Sequence, residues 1–379
     1  MIRVAIDARS FLEKTSGIGQ YICAFIPRIV ELADDIHFTV LRHPSAQAPI
    51  IRHPRVREIV VPGETKSVQT VFRPGLGASF SGFDLYHSPA DLVPLGLPCP
   101  FVATIHDLMW IEAPKLASNF FPVRFFNHHW YSATIGYSIR RSRAIIAISH
   151  ATAAAINRIY PVHAKKVHAI QHGIDLERFN PESAKDRSTL DPWIPTEFKY
   201  SIAVGQGSPY KNHINIVHAF LQATEAEPDH KLVLVRRFSR IDSEFRKLFA
   251  NKNVRDKVIV LPFVPSDVLL TFYRHARMLL FISHYEGFGM PILEAMAMGI
   301  PVIASYAPAL MEAAGDAALY AEASQVRDIA EKIRLLDTDE LLREKLVQAG
   351  RRHVLKFSWD RCAREILDVY RQAIQGTSK

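Results

Sequence analysis

Two glutamates around a stretch of bare backbone set the first constraint. Residues 278–305 read MLLFISHYEGFGMPILEAMAMGIPVIAS. The apolar run Met278–Ile282 reads as a strand, Glu286-Gly287-Phe288-Gly289 as a loop, and the residues after Gly289 as a helix. Pro291 suits the first turn of that helix, because the N–H it lacks would be unpaired there. Gly299 suits its C-terminal cap, and Pro301 prevents continuation. A helix start of this kind, around Met290, offers orphan N–H donors and the positive end of a dipole to an anion. The glycines let backbone approach a ligand closely. Glu286 sits in the loop and Glu294 lies one turn into the helix. Both carboxylates would repel a phosphate at that terminus, so they make better sense as acceptors for hydroxyl groups flanking it. A nucleotide sugar has that layout, with sugar hydroxyls on one side and ribose hydroxyls on the other. The plain alternative is a glycine-rich turn before a helix that happens to contain glutamates.

Two further segments place reactive side chains at the ends of strands. Gly205 to Asn212 follows a strand, Ser201–Val204, and precedes a helix, His213–Phe220. Lys211 thus stands at a helix start, where a cation opposes the dipole. A bound diphosphate would remove that conflict; a solvated lysine at a turn is the alternative. His106 follows the apolar strand Phe101–Ile105, and ligands of open α/β sheets bind beyond the carboxyl ends of strands. Read on its own, it is equally a turn histidine with Asp107 capping a helix.

The elements that must position these residues alternate short apolar strands with helical stretches, the pattern of parallel α/β sheets. Arg3–Ile6, His37–Leu41, Glu58–Val61, Leu85–His87, Phe101–Ile105, Ala144–Ile148 and Val167–Ile170 read as strands of a first half. Tyr200–Val204, Lys231–Val235, Val258–Leu261, Met278–Ile282 and Pro301–Ala304 read as strands of a second. The irregular segment from Asp175 to Lys199, with Pro181, Pro192 and Pro195, reads as a linker. The expected domains are therefore residues 1–175 and 199–358, and 379 residues suit two domains. A last helix, Trp359 to Gln375, carries one apolar stripe through Ile366, Leu367, Val369, Tyr370 and Ala373.

Composition narrows the classes. With 48% apolar and 22% charged residues, the chain is neither disordered nor collagen-like. Three widely spaced cysteines, Cys23, Cys99 and Cys362, suit neither a disulfide framework nor a zinc site, and fit a reducing cytosol. The N-terminus lacks the features of a signal peptide, and no apolar run is long enough to span a bilayer. The net charge of +8 suits nucleic acid, anionic lipid or a phosphorylated substrate.

The E-x7-E spacing of Glu286 and Glu294 resembles that of retaining glycosyltransferases of the GT-B fold, specifically family 4 (glycosyl transferases group 1). Further segments carry the likeness over nearly the whole chain: Ile6-Asp7-Ala8-Arg9, Ser16-Gly17-Ile18-Gly19-Gln20-Tyr21, Thr104-Ile105-His106-Asp107-Leu108, His172-Gly173-Ile174-Asp175, Ser208-Pro209-Tyr210-Lys211-Asn212 and Phe357-Ser358-Trp359. The resemblance implies two Rossmann-like doubly wound domains facing across a cleft, with the final helix, 360–379, packing back on the N-terminal one. It implies His106 and Glu286 as catalytic. It implies donor binding by Gly17 and Gly19 (a loop closing on the phosphates), by Gly205 and Lys211, by Gly287, Phe288, Gly289, Met290 and Pro291, and by Glu294 at the ribose. The expected reaction is hexosyl transfer from a nucleotide sugar to a hydroxyl with retention. GDP-mannose is the leading donor, because relatives sharing these segments include mannosyltransferases of bacterial surface polysaccharide assembly. UDP-glucose or another UDP-hexose is the alternative, as is a catalytically silent scaffold of the same fold. No cofactor is expected. Asp337-Thr338-Asp339 formally matches the D-x-D of metal-dependent glycosyltransferases, but it falls between two helical stretches with Asp339 as a natural cap, so no metal is expected. The pattern departs at Gln206 and Tyr210, where relatives often carry arginines, and at Arg236 and Arg237, where many carry a glycine pair. Arg236 and Arg237 are candidates to complete the phosphate clamp.

From Ala113 to Ile174 the chain holds no Asp or Glu but eight Lys and Arg. The start of this stretch carries Phe120, Phe121, Phe125, Phe126, Trp130 and Tyr131. A basic, aromatic helix is the form of an interfacial membrane contact. The expectation is a peripheral protein on the cytoplasmic leaflet, docking on an anionic inner-membrane surface through 113–174. It would take a polyprenyl-diphosphate-linked or saccharide acceptor. With no nucleic-acid motif, nucleic acid is not an expected partner.

Overall fold

The computed structural model describes residues 1–12, 17–46, 48–63, 65–72, 80–237, 243–262 and 264–376. The chain divides into two compact units. The first comprises Met1–Glu112, Phe125–Gly173 and Ser358–Lys379; the second comprises Ala113–Arg124 and Ile174–Phe357.

The first unit is built on a parallel sheet of seven strands: β1 (Ile2–Asp7), β2 (Ile36–Arg42), β3 (Val56–Val60), β4 (Leu85–Ser88), β5 (Phe101–Ile105), β6 (Ala144–Ala147) and β7 (Val167–Ala169). Their order is β3-β2-β1-β4-β5-β6-β7, so the winding reverses between β1 and β4. Strands β4, β5 and β6 are wholly buried, as is β1 from Val4 onward, as expected where helices cover both faces of a parallel sheet. The helices Gly17–Leu32 and Trp359–Gln375 pack together, and the latter also touches β4, β5 and β6. Its apolar stripe explains the packing: Ile366, Leu367, Val369, Tyr370 and Ala373 are all buried. Each such large side chain contributes roughly 1.5–3 kcal/mol by leaving water. The Tyr370 hydroxyl lies 2.5 Å from Nδ1 of buried His87.

Gly17 and Gly19 are not a loop. They form the first turn of the helix Gly17–Leu32, and neither has a positive φ. Ser16, the first residue of that motif, lies outside the described residues. The apolar spacing that defines the helix core from Tyr21 onward simply continues back through the glycines.

The second unit carries six parallel strands: β8 (Lys199–Gln206), β9 (His230–Arg237), β10 (Val258–Leu261), β11 (Leu279–Phe281), β12 (Val302–Ser305) and β13 (Leu319–Ala321). Their order is β10-β9-β8-β11-β12-β13, with the reversal between β8 and β11. Five of these strands were legible in the sequence. The sixth, β13, is a three-residue, half-buried edge strand paired with β12, too short for any periodicity to mark it. Residues 175–198 hold only two short 3-10 turns, Pro181–Ser183 and Arg187–Leu190.

Candidate active site

The reversal of winding in the second sheet brings two loops together. In open α/β sheets this is where ligands bind. The loop after β8 carries Lys211, at the end of a 3-10 turn, Pro209–Lys211. The loop after β11 carries Glu286. Lys211 Nζ lies 2.6 Å from Glu286 Oε1, and both side chains are nearly buried. The lysine also lies over the Tyr210 and Phe281 rings, 5.1 and 4.9 Å from their centroids. The conflict between a cation and a helix start is thus met inside the protein by a carboxylate, and needs no diphosphate to resolve it. Gly205 makes room for the lysine: a Cβ there would stand 3.1 Å from Lys211 Cδ.

The helix Met290–Ala297 comes next, with Pro291 in its first turn. Gly289 is its N-cap and supplies no side-chain cap, so the helix start around Met290 stays open to an anion. Packing requires a glycine at 289. Its φ of 177° is ordinary extended backbone, but a Cβ would stand 2.8 Å from Ala313 Cβ. Phe288 is buried, with its ring 5.8 Å from that of Phe357. Its side chain therefore packs in the core. At the far end Gly299 has φ of 75°, the left-handed stop expected of it.

Glu294 is buried one turn into this helix and accepts a hydrogen bond from the Tyr273 hydroxyl at 2.9 Å. Burial raises its pKa above the usual glutamate value, while the Tyr273 bond and the Arg178 charge act the other way.

In the first unit, His106 lies just past β5, where the strand pattern places it. Its backbone N–H donates to Asp91 Oδ1 at 2.6 Å, and its Nε2 lies 2.8 Å from the Pro89 carbonyl. A carbonyl only accepts, so Nε2 carries the proton and Nδ1 keeps its lone pair. Burial, with the Lys66 charge, lowers the His106 pKa below its usual value, against the opposing pull of Asp91 and Pro89. The Asp91 carboxylate also pairs with Lys66 Nζ at 2.5 Å. Asp91 is held in the left-handed region, φ 53°, with its N–H bonded to Thr104 O. Such conformations are costly for a non-glycine residue and concentrate at functional sites. Asp107 caps locally, accepting from Met109 N at 2.9 Å. Tyr21, from the glycine-containing helix, sets its ring edge-on to His106, centroids 5.5 Å apart, and stacks on His172 at 4.8 Å.

Residues 15–178 match the family described as Glycosyltransferase Family 4, and residues 190–353 match Glycosyl transferases group 1. The chain is a glycosyltransferase of this family. It is 26% identical over 288 residues to the O-antigen chain mannosyltransferase B of Escherichia coli, covering 76% of this chain and 74% of that protein. It is 26% identical over 395 aligned positions to the D-inositol 3-phosphate glycosyltransferase 1 of Catenulispora acidiphila, covering 99% and 91%. Among solved structures, the sucrose-phosphate synthase of Thermosynechococcus elongatus superposes with a TM-score of 0.74 at 18% identity, covering 99% of this chain and 100% of that one. That likeness shows the fold, which is GT-B-like with two Rossmann-like units.

In this glycosyltransferase, Arg236 is the last residue but one of β9, with its guanidinium buried over the Phe245 ring, 3.8 Å from the centroid. The Arg237 side chain lies outside the described residues. Asp339 caps the helix Glu340–His353, accepting from Leu342 N. Asp337 instead belongs to a buried ion cluster. Among the described residues, Glu227, His230 and Asp337 are the one group with metal-ligand spacing. Lys199 Nζ stands between its carboxylates, 2.5 Å from Glu227 and 3.0 Å from Asp337, and Arg277 Nε lies 2.9 Å from Asp337. Ammonium and guanidinium thus hold the place a cation would take. Buried Asp7 and Arg9, from the first motif, form a two-pronged ion pair that Tyr86 joins through its hydroxyl. They are a structural lock behind β1. Sequence reading missed Asp91, Lys66 and Tyr273, because each acts through a partner far away in sequence and no spacing announces it.

Proposed function

We propose that this glycosyltransferase moves a hexosyl group from a nucleotide sugar to an acceptor hydroxyl with retention of configuration, and that the donor is GDP-mannose. The observation that carries the reading is the Lys211–Glu286 pair beside the open start of the helix Met290–Ala297, with Glu294 one turn further on. Lys211 and the helix N–H groups would take up charge on the leaving diphosphate. Glu286 would accept from sugar hydroxyls, and Glu294 from the ribose. The bond from the anomeric carbon to the diphosphate oxygen breaks with its electron pair going to that oxygen. The acceptor oxygen bonds to the same face, and its proton passes to the departing phosphate oxygen. Front-face attack fits because Glu286 is tied to a lysine, which suits a hydroxyl acceptor more than a nucleophile. His106, kept neutral by burial and with its Nδ1 lone pair as an acceptor, suits acceptance from a sugar hydroxyl at the reacting centre. Positive charge from lysine and backbone favours metal-independent transfer.

The mannosyl choice is supported by the likeness to the O-antigen mannosyltransferase. A UDP-hexose donor is the second reading. The acceptor class proposed is a saccharide or a polyprenyl-diphosphate-linked saccharide. The test is release of nucleoside diphosphate from a panel of GDP- and UDP-sugars with EDTA present. Release from GDP-mannose alone supports the reading; release only from a UDP-sugar moves the donor to the second. Neither release nor a donor-induced rise in Tm across the panel would favour a silent scaffold.

We also propose that the protein works at the cytoplasmic membrane surface. The helix Phe121–Arg141 exposes Phe121, Phe125 and Phe126, with exposed Phe120 just before it. Trp130 and Tyr131 pack on the core instead. The Arg124 guanidinium lies 5.5 Å from the Phe121 ring centroid, so charge and aromatic surface occur together. Each basic residue near an anionic leaflet contributes about 1 kcal/mol. No binding to anionic vesicles at low salt would refute this.

A further inference from the structure

A cavity of about 470 Å³ opens in the second unit at the start of the helix His213–Ala223. Residues 285–294 do not line it, nor does Lys211. It is therefore separate from Lys211, Glu286, Glu294 and the helix start around Met290, and Arg236, named above as a candidate for the donor clamp, lies in its wall instead.

Three features give it one chemical character. First, the helix start is uncapped. Asn212 adopts a left-handed φ of 59° and turns its side chain away, donating to the Ile282 and Ala323 carbonyls rather than capping the helix. The first turn of this eleven-residue helix, from His213 to Asn215, thus lines the cavity with its N–H end open. Second, His213 is 5% exposed, lines the cavity, and has no hydrogen-bond partner for Nδ1 among the described residues. A buried polar group without a partner calls for one from a ligand. Burial, with Arg236 and Lys211 nearby, pushes this imidazole well below its usual pKa, so it remains neutral beside cations. Third, among the described residues the wall carries Lys115 and Arg236 against one carboxylate, Glu244. Arg236 is a residue that the family pattern leaves unexplained.

We propose that this cavity is a second anion site, which binds the phosphoryl end of a phosphate ester through the open helix start, Arg236 and Lys115. The volume exceeds a bare phosphate and admits part of the attached organic group. That chemistry has two sources: the phosphate of a lipid-linked acceptor, or a free phosphorylated small molecule. The inference rests on the donor reading only in assigning the donor elsewhere.

The test is calorimetric titration of the full chain with inorganic pyrophosphate. In Lys211→Ala, where the donor clamp is disabled, pyrophosphate binding is expected to persist. Adding Lys115→Glu or Asn119→Asp, both exposed wall residues, is expected to weaken it at least tenfold with Tm unchanged. Arg236→Gln should act in the same direction. Loss of all binding in Lys211→Ala alone would overturn the proposal, as would binding indifferent to the wall variants. If Lys211→Ala leaves pyrophosphate binding at wild-type stoichiometry, the donor reading fails while the cavity stands. Competition then separates the sources. Displacement by a short-chain prenyl diphosphate names the acceptor, and displacement by a hexose phosphate names a small molecule. Displacement by neither removes the phosphate-ester assignment.

Discussion

The ammonium of Lys211 rests 2.6 Å from the carboxylate of Glu286, joining the ends of β8 and β11 where the second sheet reverses its winding. The residue proposed to meet the leaving diphosphate and the one proposed to meet the sugar therefore hold each other in place before any ligand arrives. Both side chains are nearly buried, so each is the other's close partner away from bulk water. A donor that brings phosphate to the lysine and hydroxyls to the glutamate replaces one balanced pair with two.

The first prediction concerns that pair. Glu286→Ala should lower kcat by about 10²–10³ with a smaller change in KM, the size seen when a transition-state donor or acceptor is removed. Lys211→Ala should lower kcat similarly. The double variant should lose less than the product of the two, because each single change strands the other charge. Steady-state kinetics with the four proteins measure this. Full turnover in Glu286→Ala would sink the assignment.

Glu294 should behave differently. Glu294→Ala should raise the donor KM about 10- to 100-fold, as expected for losing hydrogen bonds to a charged group, with kcat changed less. Burial raises the Glu294 pKa. As pH falls, the carboxylate is thus lost above the ordinary glutamate range, and donor affinity should decline from there. Tyr273→Phe removes a bond that lowers this pKa, so it should move the decline to higher pH. Its effect on stability has the opposite sense. The folded protein holds this proton more tightly than the unfolded chain, so Glu294's contribution falls as pH rises through the raised value. Donor KM against pH for the wild type and Tyr273→Phe checks the order.

The legible part of this protein was the part written locally. Pro291, Gly299 and Pro301 bracket one helix through backbone rules that act within a few residues, and the helix lies where they put it. Twelve of the thirteen strands among the described residues announce themselves as short apolar runs. What stayed hidden is of two kinds. Glycines have several uses, and sequence cannot choose among them. Gly289 yields to Ala313, Gly205 to Lys211, and Gly17 and Gly19 simply begin a helix. Partnerships across the chain are equally silent. Asp91 reaches His106 over 15 residues, and Tyr273 reaches Glu294 over 21. Neither spacing belongs to a helix or strand period, so only the folded sheet brings the groups together.

Asp91 gives a third prediction. It fixes the His106 backbone, and Lys66 fixes its carboxylate. Asp91→Ala leaves a buried N–H without its acceptor, which should cost about 1–3 kcal/mol of stability. It should also lower turnover by letting His106 shift. Asp91→Asn keeps an oxygen for that N–H while losing the charge opposite Lys66, so it should restore much of the turnover. If Asn and Ala variants are equally slow at matched folding, the acceptor bond is not what positions His106. Parallel kcat and urea-melt measurements decide.

The two aspartates of Asp337-Thr338-Asp339 should separate cleanly, because they do unrelated work. Asp339 caps a helix, so Asp339→Ala should cost about 1 kcal/mol and leave turnover intact, with or without EDTA. Asp337 is 5% exposed and neutralised by Lys199 and Arg277. Asp337→Asn should cost about 3 kcal/mol, the low end for breaking a buried pair, because both cations reach solvent. Burial alone would raise the Asp337 pKa, but His230, Lys199 and Arg277 together hold it well below the usual carboxylate range. A depressed folded pKa contributes stability that is present above the unfolded value, near 4, and is lost as pH falls below it. The Tm gap between the wild type and Asp337→Asn should therefore be constant near neutrality and close on acidification below about pH 4. A gap that persists unchanged to low pH would mean that the cluster contributes through packing rather than charge. A fall in turnover on adding EDTA, lost in Asp337→Asn, would mean instead that a metal ion displaces Lys199 from its place between the carboxylates.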